Sequence, residues 1–186
     1  MGGLFRGDQD YNKLRRSSIR CIEEYLQVQA VRSEMKTYLV IRLRGEMGLA
    51  PEVLDTLARL NLPSKFSATL ISDTPSNLGM LNKVVDYITW GEIEQPALVE
   101  LLKKRGRLPG EKRLSEDAMK GLSLGTFEEL AERMLEEGRV VPPIKRAFRL
   151  TPPSGGFKGH ITRHLKSGGE LGYRGPAIVE LMRKMI

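Results

Sequence analysis

The chain has 186 residues, room for one or two small domains, and 40% of them are hydrophobic, enough for a core through most of its length. No apolar run approaches the ~20 residues of a membrane span, MGGLFRGDQD at the start reads as neither a secretory signal nor a myristoylation site, and the single Cys21 excludes an internal disulfide and a cysteine-built zinc site, so a soluble protein of the reducing cytoplasm is expected. The formal charge of +7 is concentrated at one end: residues 1–138 carry 20 Lys and Arg against 21 Asp and Glu, whereas 139–186 carry 10 against Glu170 and Glu180 alone. Fold stability does not call for that asymmetry, but an anionic partner does, and nucleic acid is the commonest one.

Residues 12–35 place Leu14, Ile19, Ile22, Leu26 and Ala30 near a helical period, with Lys13, Arg15, Arg16 and Arg20 beside them, which predicts a basic amphipathic helix. Such a helix suits packing on the domain or contact with a polyanion equally well. Residues 36–45, KTYLVIRLRG, alternate Leu39, Ile41 and Leu43 with Val40, Arg42 and Arg44, a strand with one apolar and one basic face. Pro51 opens a helix carrying Val53, Leu54, Leu57 and Leu60, closed by Asn61 and Pro63. A second strand over 66–71 turns Phe66, Ala68 and Leu70 inward. Thr74 then caps, and Pro75 starts, a helix with Leu78, Leu81, Val84 and Val85, and 87–90 fits a third strand. This order gives a two-layer β-α-β-α-β core over 37–93, with its helices on one face of the sheet.

A helical extension follows over 94–149. Residues 96–104 and 115–120 read as helices, and Thr126 with Glu129 forms a capping box for a helix bearing Phe127, Leu130 and Met134 that stops at Gly138. KKRGRLPGEKR at 103–113 has a net charge of +5, and its glycines and proline oppose a helix. A charge run is usually only solvated surface, but a second basic, glycine-rich stretch in the same chain shifts this reading toward function.

That second stretch, LTPPSGGFKGHITRHLKSGGELGYRG at 150–175, belongs to the C-terminal segment 150–186 and has few large apolar side chains: Phe157, Ile161, Leu165, Leu171 and Tyr173 besides Leu150. Burying these few cannot offset the conformational entropy of ordering 26 residues, so the segment is expected to be disordered or to take its shape from a partner. Lys158, Arg163, Lys166 and Arg174 would then meet phosphate, glycines would allow close backbone approach, and Phe157 and Tyr173 would stack on unpaired bases. His160 and His164 are four apart, but glycines flank them and Ile161 stands where a zinc-protease motif needs Glu, so they read as ring edges near phosphate rather than metal ligands. Neither a Walker-type loop nor a G-x-G-x-x-G fingerprint is present, the paired glutamates on predicted helices point apart, and no Ser/His/Asp set assembles.

Residues 69–93, TLISDTPSNLGMLNKVVDYITWGEI, together with LVIRLRG at 39–45, KKRGRLPGEKRL at 103–114, FRLTPPSGGFKG at 148–159 and GGELGYRG at 168–175, resemble the L-thirty family of large-subunit ribosomal proteins in its long archaeal and eukaryotic branch. The likeness runs collinearly over about 37–175 and leaves out 1–36 and PAIVELMRKMI at 176–186. It implies an α+β fold whose core has a three-stranded antiparallel sheet of ferredoxin-like type, a non-enzymatic role, and binding to large-subunit ribosomal RNA, with 5S RNA and neighbouring ribosomal proteins as further candidate partners. No cofactor, small-molecule substrate or membrane is implied. RNA contact is expected at Lys103, Lys104, Arg105, Arg107, Lys112 and Arg113, at Lys145, Arg146 and Arg149, and at Gly155, Gly156, Phe157, Lys158, His160, Arg163, His164, Lys166, Tyr173 and Arg174. The competing readings are a nucleic-acid-modifying enzyme using His160 or His164 and a free-standing RNA-recognition module, the latter weakened by strands without an aromatic RNP-type motif.

Overall fold

A computed structural model of the chain describes residues 36–121 and 125–186. The basic helix expected over 12–35 lies outside them.

The first half follows the predicted order: β1 Thr37–Arg42, α1 Pro51–Arg59, β2 Ser67–Ser72, α2 Pro75–Lys83 and β3 Ile88–Glu92. Strand β1 is central and antiparallel to both neighbours, with Leu39 opposite Leu70 on one side and Gly91 on the other. The caps form as the local chemistry requires: the Thr74 hydroxyl accepts from the Asn77 amide at 3.3 Å, and Pro75 occupies the first turn, where its missing N–H leaves no bond unmade.

Both faces of the sheet are buried. Tyr38, Val40, Ile71, Ile88 and Trp90 pack against Leu57, Leu60, Leu81 and Val84, so α1 and α2 lie on one face, as expected. Leu39, Ile41, Ala68 and Leu70 point the other way, into a larger cluster built by the extension. There α3 Gln95–Arg105 contributes Leu98, Leu101 and Leu102, and α4 Glu116–Gly121 contributes Met119. Helix α5 Phe127–Glu137 adds Phe127, Leu130 and Met134. It has the capping box of Thr126 with Glu129 and ends at Gly138 with φ 63°, the left-handed conformation that glycine adopts without a Cβ penalty.

The face of β1 that α1 and α2 cover is the one that carries Val40 and Arg42, not the Leu39 and Ile41 face. Arg42, expected on a basic outward face, is 1% exposed, and its guanidinium donates to the carbonyls of Arg44, Leu62 and Pro63 at 2.9, 2.9 and 3.1 Å. It ties β1 to the chain that follows α1.

The three antiparallel strands are the centre of a six-stranded sheet of order β4-β2-β1-β3-β6-β5, with β4 Phe148–Arg149, β5 His160–His164 and β6 Gly169–Tyr173. Strand β6 runs parallel to β3, with Thr89 opposite Gly172 and Trp90 opposite Tyr173. Strand β5 lies beyond β6 as the outer strand, with an irregular register between His160 and His164. Residues 150–175 therefore do not wait for a partner to acquire a shape. The shortage of apolar side chains within 150–175 is real, but the helix immediately after it, α6 Ile178–Met185, buries Ile178, Leu181, Met182 and Met185 in the larger core, at about 1.5–3 kcal/mol each. Backbone bonds fasten the rest: Leu150 N–H to Phe66 O at 2.9 Å, Thr151 to Met185 at 2.9 Å, Ser154 to Lys184 at 2.8 Å and Arg174 to Trp90 at 2.8 Å.

The tightest contact in this docking is glycine on glycine. A Cβ at Gly91 in β3 would lie 2.0 Å from the carbonyl oxygen of Gly175. Gly91→Ala is therefore expected to cost about 3 kcal/mol, as overpacking against backbone does, and to make 150–186 sensitive to limited proteolysis. An unchanged urea midpoint with the segment still protected would show that β3 and Gly175 do not meet in solution.

Candidate nucleic-acid interface

Lys103, Lys104 and Arg105 form the last turn of α3, which ends one residue beyond the helix predicted over 96–104. The break comes at Gly106, where a Cβ would meet Leu102 O at 2.4 Å. From there the chain makes a compact turn: Leu108 N–H donates to Lys112 O at 2.9 Å, Leu114 N–H donates to Gly106 O at 3.1 Å, and Arg107 bridges to Arg113. Buried Leu108 and Leu114 anchor it, which leaves Lys112 and Arg113 exposed on its returning arm.

The turn brings two basic stretches together. Lys145 N–H donates to Arg107 O at 2.9 Å, and the result is an open cleft of about 740 Å³ lined by Arg105, Arg107, Lys145, Arg146 and Arg149, with Ser64, Ser67 and Glu111. Arg105 is fixed by Thr151 Oγ1 at 3.1 Å and Ile186 O at 2.9 Å, and Arg107 donates to Glu111 O at 3.1 Å. Lys145 pairs with the carboxylate of Glu111. That hydrogen bond, with the charges of Lys145, Arg107 and Arg149, holds the Glu111 carboxyl below the usual glutamate range. Arg146 and Arg149 are exposed and make no ion pair among the described residues. A concave surface with several guanidinium groups and one acid is suited to a run of phosphates.

Lys103 and Lys104 do not line this cleft. The Lys103 ammonium lies 5.6 Å from the Phe127 ring centre, and Lys104 pairs with Glu100 at 3.2 Å. Ser64 and Ser67 escape a reading of the sequence, because nothing local marks either as lining a cleft, and it is the pairing of β2 with β4 that sets Ser67 opposite Arg149.

The second basic surface is the segment from Gly155 to Lys166, a turn followed by β5. Gly155 and Gly156 have φ of 82° and 76°, and no atom lies within 4 Å of where a Cβ would stand, so their role is the turn itself. Arg163 and Lys166 are exposed without an ion pair among the described residues, Lys158 lies 3.9 Å from Glu180, and His160 is exposed. His164 Nε2 lies 3.0 Å from Asp86 Oδ1, and among the described residues no group of three His, Cys, Asp or Glu side chains is placed to hold a metal.

Three expected contacts are arranged differently. Phe157 is half-buried and stacked on Phe66, centroids 6.3 Å apart, so one face of its ring is taken by the protein rather than left for a base. Arg174 is turned inward, its side chain 13% exposed and paired with buried Glu170. Tyr173 remains 52% exposed but packs 6.4 Å from both Tyr38 and Trp90, with its hydroxyl 3.4 Å from Glu92. The aromatic residues that look free in sequence are thus drawn toward the fold by β6 and by the Phe66 loop.

Comparison with known proteins agrees with this architecture. The family model described as Ribosomal protein L30p/L7e matches residues 38–88, from within β1 to the start of β3. Proteins named "Large ribosomal subunit protein uL30" are similar over much more of the chain. That of Thermofilum pendens is 47% identical over 157 residues, covering 82% of this chain and all of the relative. Those of Hyperthermus butylicus and Methanococcus maripaludis are 44% and 42% identical, covering 82% and 80% of this chain and 92% and 99% of the relatives. The chain belongs to the L30p/L7e family of ribosomal proteins.

Because Phe157 packs on Phe66, Phe157→Ala is expected to lower stability by about 1–2 kcal/mol in urea unfolding while leaving RNA affinity of the folded protein within about twofold. Unchanged stability with a tenfold loss of affinity would place the ring on a base instead.

Proposed function

We propose that this protein is a structural constituent of the large ribosomal subunit that binds large-subunit ribosomal RNA through a surface made of the cleft at Arg105, Arg107, Lys145, Arg146 and Arg149, the returning arm of the turn at Lys112 and Arg113, and the segment bearing Lys158, His160, Arg163, His164 and Lys166. One observation carries this reading: stretches about forty residues apart in sequence fold into one cationic cleft, with Arg146 and Arg149 at its rim making no ion pair among the described residues. The names of the family relatives support the large subunit as the site of action. The role is non-enzymatic, its setting is the cytoplasmic ribosome, and neighbouring ribosomal proteins are its protein partners, with 5S RNA as a second candidate RNA.

The geometry favours backbone recognition. Guanidinium forks fit phosphate oxygens in pairs, and a cleft open to solvent admits a sugar-phosphate chain more readily than a stacked base. Affinity should therefore fall steeply with salt. Binding of the purified protein to large-subunit ribosomal RNA across a salt series tests this: Arg146→Ala and Arg149→Ala should each reduce the magnitude of the log–log slope by about 0.7–0.9. A slope unchanged in both variants would remove the cleft from the interface, and the same titration with 5S RNA decides whether that RNA is also bound. Sedimentation with large subunits, with release only at high salt, is the expected behaviour of the whole protein.

A further inference from the structure

The most basic part of this chain contains one buried acid. Glu170 in β6 is 5% exposed, and its position is defined from several directions. Its Oε1 accepts from the Gly159 amide at 2.8 Å, and its Oε2 pairs with the Arg174 guanidinium, which also donates to the Glu170 carbonyl at 3.0 Å. Arg174 in turn lies 3.4 Å, through Nε, from the Thr89 hydroxyl of β3, and that hydroxyl donates to Gly172 O at 3.0 Å. The carboxylate thus joins the start of the 159–169 loop to the strand that follows it. The base of the loop is close-packed: a Cβ on Gly169 would lie 1.9 Å from Arg163 O, and one on Gly159 would lie 2.8 Å from Gly168 O. His160, Arg163, His164 and Lys166, with the preceding Lys158, are exposed around this closed base.

We propose that Glu170 is a positioning residue for RNA binding: with Arg174 it closes the base of the 159–169 loop and so presents Lys158, Arg163 and Lys166 as a preformed cationic surface. The proposal rests on the RNA-binding reading above. By charge alone a carboxylate within this surface opposes a polyanion, so neutralising it should strengthen binding. By positioning, the same change should weaken binding, because a loop that must be ordered on association loses the advantage of preorganisation. The two effects have opposite signs, which makes the residue informative.

The experiment compares Glu170→Gln, Arg174→Lys and Glu180→Gln with the wild type in affinity for large-subunit ribosomal RNA over a salt series, together with hydrogen exchange at the Gly159 amide. Arg174→Lys keeps the charge but removes the planar guanidinium that reaches Glu170 through Nη2 and Thr89 through Nε at once. Glu180→Gln removes an exposed negative charge nearby, at a residue outside the loop closure. The expected result is binding weakened about fivefold or more in Glu170→Gln and in Arg174→Lys, with a shallower salt slope and faster Gly159 exchange, while Glu180→Gln binds as tightly as the wild type or tighter. Wild-type binding with both Glu170→Gln and Arg174→Lys equal to it or tighter overturns the positioning role and leaves the RNA reading intact. Absence of wild-type binding overturns both. If Glu170→Gln does not fold, the charge-conserving Arg174→Lys decides the matter by the same criterion.

Discussion

The parallel pairing of Gly169–Tyr173 with Ile88–Glu92 is the contact on which the rest of the C-terminal architecture depends. It places a glycine-rich strand beside Trp90, allows Gly175 to approach Gly91 where no side chain could stand, and delivers α6 to the larger core. Without it, the strongly cationic quarter of the chain would be an extended polyelectrolyte. With it, the cationic loop is held at one edge of a sheet, and the cleft at Arg105 and Arg149 forms near the opposite edge strand, β4.

The extension does more than follow the β-α-β-α-β core. A sheet with helices on one face leaves the other apolar surface to be covered, and here α3, α5 and α6 cover it. Thr37 Oγ1 donates to Leu135 O at 3.0 Å and Thr69 Oγ1 to Arg146 O at 3.1 Å, so buried hydroxyls of the central strands bond directly to backbone of the extension. The basic residues at 145–149 are consequently set by the same packing that completes the core.

How much of this can be read from the sequence depends on the range of the interaction. Thr74 with Pro75, and Thr126 with Glu129 and Gly138, are chemistry within a few residues, and their helices form where the pattern puts them. Strand β1 is recognisable, but the burial of Arg42 is not, because, of the three carbonyls that accept from its guanidinium, no neighbour in sequence announces the two beyond α1. Strand β6 is not recognisable as such: GELGY has two glycines and one aliphatic residue, and it is a strand because β3 supplies its hydrogen-bonding partner. The cleft has the same origin, since Arg107 and Lys145 meet through one long-range backbone bond. Family likeness points to basic stretches of the sequence, while which members face outward, as Arg149 does, or inward, as Arg174 does, is a property of the folded chain.

Helix α6 follows every other contributor to the larger core in sequence, and this sets an order of events during synthesis. Residues 37–93 leave the translating ribosome earlier and already contain β1, β2, β3 and the two helices of one face. The opposite face of that nascent sheet stays incompletely covered until α6 emerges, and Arg105 gains its second acceptor only when Ile186 has been added. A chain of this design carries an unfinished hydrophobic surface through most of the translation of these residues, and its cationic surface is finished only once that surface has closed.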